Sequence, residues 1–238
     1  MNLAAPAVRL LSVSKIHDGR GTASAGIHNI TLEARGGELI LFVGPSGSGK
    51  TTLLTLAAGL TEPTLGRVEI FGDNITRLRQ AELQRLRALH MGFVFQTFRL
   101  IDALTVEENV NFVRRLALRH APDRRQNGAD LVARFGLNHR RRAFPPSLSQ
   151  GEKQRLAIAR ALANDPELII ADEPTASLPT EDGLEVIRLL RAAAVSHQRC
   201  VLVATHDLRL TKFADRVVVL RDGHVVEIRD SGGRRTPA

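Results

Sequence analysis

Residues Gly44, Pro45, Ser46, Gly47, Ser48, Gly49, Lys50, Thr51 and Thr52 constrain this chain more than any other stretch. They follow the apolar run Leu39-Ile40-Leu41-Phe42-Val43 and precede the helix-like run Leu53 to Ala58. Strand, glycine-rich turn, helix is the context that a phosphate-binding loop requires. The glycines let the backbone turn tightly and aim successive N–H groups into one concavity, where they hold anionic oxygens. A helix starting near Gly49 adds the positive end of its dipole. Lys50 is then placed to neutralise β- and γ-phosphates, and Thr51 offers a hydroxyl to Mg²⁺.

The strands and helices around this loop indicate an α/β fold. Val8–Val13 and Ile27–Leu32 alternate as short strands before the strand at 39–43, so the N-terminal part reads as an antiparallel β subdomain. A further strand is expected at Val68–Phe71 and a helix over Ala81–His90, with Leu83, Leu86 and Leu89 on one face. Phe93-Val94-Phe95 reads as a strand ending at Gln96. Residues 97–146 are helical and arginine-rich, with a helix start at Thr105 and Glu108, and form an inserted helical lobe. Ser147–Glu152 opens a long helix that Asp165-Pro166 ends. Leu168–Ala171 and Val201–Ala204 are buried strands, and Leu184, Ile187 and Leu190 mark a helix between them. Val217–Leu220 and Val225–Ile228 form a hairpin around Asp222-Gly223. Buried strands alternating with helices imply a mixed, mainly parallel sheet core. One domain over 6–230, with a flexible tail at 231–238, accounts for the pattern.

In such sheets ligands lie beyond the C-terminal ends of strands. Asp172, Glu173 and His206 all follow apolar strands, as the loop at 44–49 does. Asp172 is suited to hold Mg²⁺ with Thr51, and Glu173 to orient and deprotonate an attacking water. His206 is a polar bridge between a γ-phosphate and that water. Gln96 is a candidate Mg²⁺ or water ligand, against the plain alternative of a surface glutamine.

Composition removes some functions. With 43% hydrophobic and 24% charged residues the chain is ordinary for a globular protein. Its longest apolar runs, about five residues, are far short of a membrane span. The start lacks an export-signal pattern, so the cytoplasm is the expected compartment. The single cysteine, Cys200, reads as a buried strand thiol. The net charge of +8 fits nucleic acid, anionic lipid or a bound polyanion such as ATP. Without tyrosine or tryptophan for stacking, no nucleic-acid partner is expected.

The ordered set Gly44–Thr51, Gln96, Leu148-Ser149-Gln150-Gly151-Glu152, Ala171-Asp172-Glu173-Pro174-Thr175 and Thr205-His206-Asp207 resembles that of an ABC transporter ATPase subunit, a P-loop NTPase. The likeness runs from Val8 to about Ile228. Ser149–Arg155 and Ala171–Ala176 are similar to the lipoprotein-release, macrolide-export and glycolipid-export branch, with the heterocyst glycolipid exporter ATPase nearest. The resemblance implies an exporter subunit that hydrolyses ATP with Mg²⁺. Two copies would pair head to tail, with Ser149 and Gly151 of one touching the γ-phosphate held by Gly44–Thr51 of the other. It further implies a membrane permease docked on the helical lobe near Gln96, a membrane-fusion protein in the assembly, and a peripheral place on the inner face of the plasma membrane. Two alternatives stay open: a nucleotide-gated module with little hydrolysis, and a non-transport ATPase acting on ribosomes or DNA.

Four positions depart from the family pattern. Gln150 and Glu152 replace glycine and glutamine. Pro179 replaces an aspartate that serves cross-site communication, and is expected to pre-set the first turn of the next helix. His17 stands where an aromatic residue stacks on adenine.

Overall fold

Strand β3 (Leu39–Val43) lies at the centre of a seven-stranded sheet, and all five of its side chains are buried. The computed structural model describes residues 5–16, 26–121, 128–231 and 235–236. His17 lies outside the described residues. In chain order the elements are β1 (Val8–Ile16), β2 (Gly26–Ala34), β3, α1 (Lys50–Ala57), β4 (Leu65–Ile70), β5 (Asp73–Asn74), α2 (Gln80–His90) and β6 (Met91–Val94). There follow α3 (Val106–His120), α4 (Gly128–Arg134), α5 (Gln150–Ala161), β7 (Leu168–Asp172), α6 (Thr180–His197), β8 (Cys200–Thr205), β9 (Arg216–Arg221), β10 (His224–Asp230) and β11 (Arg235–Thr236).

The large sheet has the order β11-β10-β9-β3-β8-β7-β6. From β9 to β6 all neighbours are parallel, and β10 and β11 add on antiparallel. A second sheet, β2-β1-β4-β5, is antiparallel throughout. The fold is therefore the mixed α/β arrangement with an antiparallel N-terminal subdomain. The strand period of two divides the core. Ile40 and Phe42 pack with α1 and the antiparallel sheet, while Leu39, Leu41 and Val43 pack with α5 and α6. Because both faces are covered, the central strands read as unbroken apolar runs.

Within 97–146 the described residues contain α3, α4 and short 3₁₀ turns. Fully buried Asn109 holds the lead-in to α3, donating to the carbonyls of Ile101, Leu104 and Thr105 and accepting the Ile101 N–H. Arg160 of α5 donates to the carbonyls of Phe98 and Arg99, tying the segment after Gln96 to the long helix.

Three local expectations change. Strand β6 ends at Val94 rather than running to Gln96, because Phe98 and Arg99 take left-handed backbone angles and Phe98 N–H turns back to the Phe95 carbonyl. Pro179 is the residue before α6, with φ −54° and ψ 154°, and not part of its first turn. In the stretch expected as a tail, Arg235–Thr236 pairs with Ile228 and Arg229. The hairpin at Asp222-Gly223 has both residues at positive φ, 48° and 76°, the turn whose twist matches the flanking strands.

Candidate functional site

The parallel registers of β3, β8 and β7 bring their C-terminal ends to one edge. Val43 leads there into the loop, Thr205 into His206, and Asp172 into Glu173. Gly49, at φ 99°, is the residue before α1, and that helix has no side-chain cap and no acid in its first turn. Its first N–H groups are left for another acceptor. A side chain at Gly44 would lie 2.2 Å from the Leu220 carbonyl, so the loop presses directly on β9. At Gly47, with φ 80°, nothing lies within 4 Å of a would-be Cβ. The Gly223 N–H donates to the Ser48 carbonyl, so the hairpin turn braces the loop from below.

Two features show that the loop fits a phosphate. The Ser48 hydroxyl is buried without a partner, an arrangement that ordinarily needs an explanation. Lys50 is 8% exposed, and its ammonium curls back onto the carbonyls of Gly44 and Pro45 at 2.9 and 3.0 Å. A phosphate oxygen is a better partner for that ammonium than two neutral carbonyls.

The Thr51 hydroxyl meets Asp172 at 3.1 and 3.0 Å. Burial pushes the Asp172 carboxyl up, the Thr51 hydrogen bond opposes that, Glu173 adds to it, and Lys50 offsets it. Thr51 and Asp172 are thus together, as a shared cation ligand pair requires. Gln96 follows β6 at the same sheet edge, with Val94 paired to Ala171; it is exposed, and no hydrogen bond among the described residues joins it to Thr51 or Asp172. Among the described residues no group of three His, Cys, Asp or Glu side chains could cage a metal. One carboxylate and one hydroxyl suit Mg²⁺, which takes its other ligands from water and substrate phosphates.

Glu173 has φ 47°, a left-handed conformation uncommon for a residue with a side chain, and its N–H donates to the Ala204 carbonyl of β8. Its carboxylate lies 2.9 Å from His206 Nδ1. With the carboxylate as acceptor, Nδ1 carries the hydrogen, and Nε2 of the neutral ring is an acceptor. The expected donation from His206 to a phosphate therefore requires the ring to leave Glu173 or to gain a second proton. Next along, Asp207 pairs with Arg209, which also donates to Thr180 Oγ1 at the start of α6. The Arg209 contacts hold the Asp207 carboxyl below its ordinary value. This link from the histidine loop to α6 joins residues 29 positions apart, and no sequence spacing announces it.

Ser149 caps α5 by accepting the Glu152 N–H, while Glu152 accepts the Ser149 N–H at 2.8 Å. None of the hydrogen bonds of Ser149 among the described residues reaches the loop at 44–49. Gly151 faces α6, where a Cβ would sit 3.3 Å from Asp182 Oδ2. One chain thus assembles the loop, Thr51–Asp172 and Glu173–His206, and leaves Ser149 and Gly151 apart from them.

Comparison with known proteins agrees with this geometry. A family model described as ABC transporter matches residues 27–176. An uncharacterized ABC transporter ATP-binding protein of Methanocaldococcus jannaschii is 40% identical over 218 residues, covering 91% of this chain and 96% of that protein. The macrolide export ATP-binding/permease protein MacB of Brucella abortus is 38% identical over 235 residues, covering 98% of this chain and 36% of its own length. This chain therefore spans about a third of the macrolide-export relatives. Among solved structures, the dimeric structure of MJ0796, titled a bacterial ABC transporter cassette, aligns with TM-score 0.86 and 35% identity, covering 95% of this chain and all of that one. A post-hydrolysis state of the same cassette, bound to ADP and Pi, aligns with TM-score 0.85.

Proposed function

Because this chain belongs to the ABC transporter ATP-binding family, we propose that it is the ATP-hydrolysing subunit of a bacterial exporter of the macrolide-export and lipoprotein-release type. It is an ATPase. The observation that carries the reading is the convergence of the loop at 44–52, Thr51–Asp172 and Glu173–His206 on one sheet edge.

The backbone N–H groups of 46–50 and the Lys50 ammonium bind the phosphates and fix their orientation. Thr51 and Asp172 would hold Mg²⁺, which supplies charge neutralisation on the β- and γ-phosphate oxygens when bound. Glu173, anchored by Ala204, orients a water in line with the γ-phosphate and takes its proton on a carboxylate oxygen. His206 holds the other side of that carboxylate and, once turned or protonated, donates to the γ-phosphate.

Two copies would close the site, since Ser149 and Gly151 make no hydrogen bond to the loop at 44–49 of their own chain among the described residues. The dimeric cassette of similar fold supports that arrangement. A permease is the partner proposed for the helical lobe. In the macrolide-export relatives an ATP-binding part and a permease share one name and one longer chain. Between α2, α3 and β6 runs a groove floored by Met91, Phe93 and Val113. Leu60, Phe112 and Leu116 rise exposed around it. An apolar groove of this kind, reaching Phe95 just before Gln96, suits a short helix from such a partner. Among the described residues no helix is long and apolar enough to cross a membrane. A membrane-fusion protein would join through the permease.

Glu173→Gln tests the hydrolytic core. Phosphate release is expected to fall by about 10²–10⁴-fold with ATP binding retained. Unchanged release would remove Glu173 from the mechanism. Copurification of the native protein with an integral permease tests the transport assignment.

A further inference from the structure

The start of α5 carries a conflict. A phosphate arriving at Ser149 is drawn by the positive end of the helix, yet Glu152 already occupies that end. Its carboxylate is within 2.8 Å of the Ser149 N–H, and its side chain is 10% exposed. An acid here strengthens the cap and matches the helix dipole. It also places a second anion beside the residue that would receive the first. Gln150 and Gly151 bring no positive charge. Across α6, Asp182 adds another carboxylate close to Gly151, with Arg155 beside it.

Among the described residues, the guanidinium that meets Glu152 from outside α5 is that of Arg140. Its Nε lies 3.1 Å from Glu152 Oε1, and His139 Nε2 lies 3.4 Å from the same oxygen. Arg140 comes from the 3₁₀ turn at Asn138–Arg140, twelve residues before Glu152. Glu152 thus uses one oxygen, Oε2, to hold the Ser149 backbone and the other, Oε1, to meet Arg140. The Ser149 hydroxyl accepts the Glu152 N–H at 3.2 Å and also faces the Glu152 carboxylate, so its own hydrogen turns from that acid to meet an incoming oxygen.

The geometry points to Arg140 as a positioning residue that cancels the Glu152 charge, so that Ser149 and Gly151 can accept the terminal phosphate of a nucleotide held by a second copy of this chain. The inference rests on the head-to-tail pairing described above. Without Arg140 the Glu152 carboxylate keeps the His139 ring as its partner from outside α5 among the described residues, and Asp182 has Arg155 beside it. Repulsion between unit charges a few ångströms apart near a protein surface is large enough to weaken closure about tenfold or more. Arg140 acts only through Glu152, so removing the acid must remove the need for the arginine.

The test uses the full chain carrying Glu173→Gln, so that ATP persists, and reads Mg-ATP-dependent dimerisation by sedimentation. Thermal melting confirms that each variant is folded; the Arg140 side chain is 45% exposed, so its loss leaves no buried gap. R140A is expected to raise the ATP concentration for half-maximal dimerisation by roughly tenfold. Arg140→Lys retains most of the affinity, and R140A/E152Q returns to within about twofold of the background. A purely structural arginine would not be rescued by neutralising its acid. If R140A dimerises like the background, or R140A/E152Q stays as weak as R140A, the charge-cancelling role is overturned while the pairing stands. If the background itself stays monomeric at saturating Mg-ATP, the pairing and this role fall together.

Discussion

Two helix starts in this molecule are suited to anions, and they are built in opposite ways. Helix α1 begins at Gly49, in a left-handed conformation, with no side-chain cap and no acid in its first turn. Helix α5 begins at Ser149 with a closed reciprocal cap and Glu152 in its first turn. The first leaves its donors open and adds a buried lysine; the second satisfies its own donors and offers one hydroxyl that Glu152 already shares. An open start binds phosphate on its own, at the cost of unsatisfied groups when empty. A closed start is stable when empty and adds only a final contact. The division suits a site in which one copy holds the nucleotide and another completes it.

The largest expected break in this comparison is Lys50→Ala. Its ammonium is the one charge that the loop itself contributes, and losing a buried partner of a phosphate costs about 2–5 kcal/mol. Binding of a fluorescent ATP analogue to dilute protein should weaken by roughly 30-fold or more. Ser149→Ala, by contrast, should leave that single-copy binding within about twofold. A comparable loss from both substitutions would mean that the two helix starts are not separate receptors.

Ser149→Ala sharpens the contrast from the other side. It removes the hydroxyl that caps α5, so a stability loss of about 1 kcal/mol is expected by chemical denaturation. Beyond that, ATP-dependent dimerisation should weaken by about tenfold, the scale of one charge-assisted hydrogen bond. Equal dimerisation with and without the hydroxyl would leave Ser149 as a cap alone.

The difference between the two starts also explains what the sequence disclosed. The α1 start was legible because everything it needs is consecutive: an apolar strand, glycines, Lys50 and Thr51. Asp172, Glu173 and His206 were legible because parallel strands must deliver their C-terminal ends to one edge. The pairing of Thr51 with Asp172 followed from that rule and not from any local signal, whereas the order of the strands was not legible. What stayed hidden is non-local and chemically unremarkable in one dimension. The brace from Gly223 to Ser48, the Arg209 link to Thr180, and Arg140 on Glu152 each join residues that no periodicity relates. Gln96 lies between these cases. It follows β6, whose Val94 pairs in parallel with Ala171, so it leaves the sheet at the site edge, but it is exposed and no hydrogen bond among the described residues joins it to Thr51 or Asp172.

The smallest effect expected is in acid, and it separates the two starts in the empty protein. The Ser149 N–H, more than the Arg140 contact, holds the Glu152 carboxyl below its ordinary value of 4.5, with burial opposing both. In the unfolded chain that carboxyl returns to its ordinary value. Between the two values the unfolded state binds more protons, so lowering pH favours unfolding. The stabilisation is complete above the ordinary value and is lost as pH falls through the folded one. Replacing Glu152 with glutamine keeps a side-chain acceptor for the Ser149 N–H and removes the titration. The melting temperature of Glu152→Gln should therefore fall less steeply than that of the native protein below about pH 5, by a few degrees at most. Helix α1 has no carboxylate in its first turn to contribute such a slope. Identical acid profiles for the two proteins would show that the Glu152 carboxyl is not held by the cap, and that the α5 start stands as open as the α1 start.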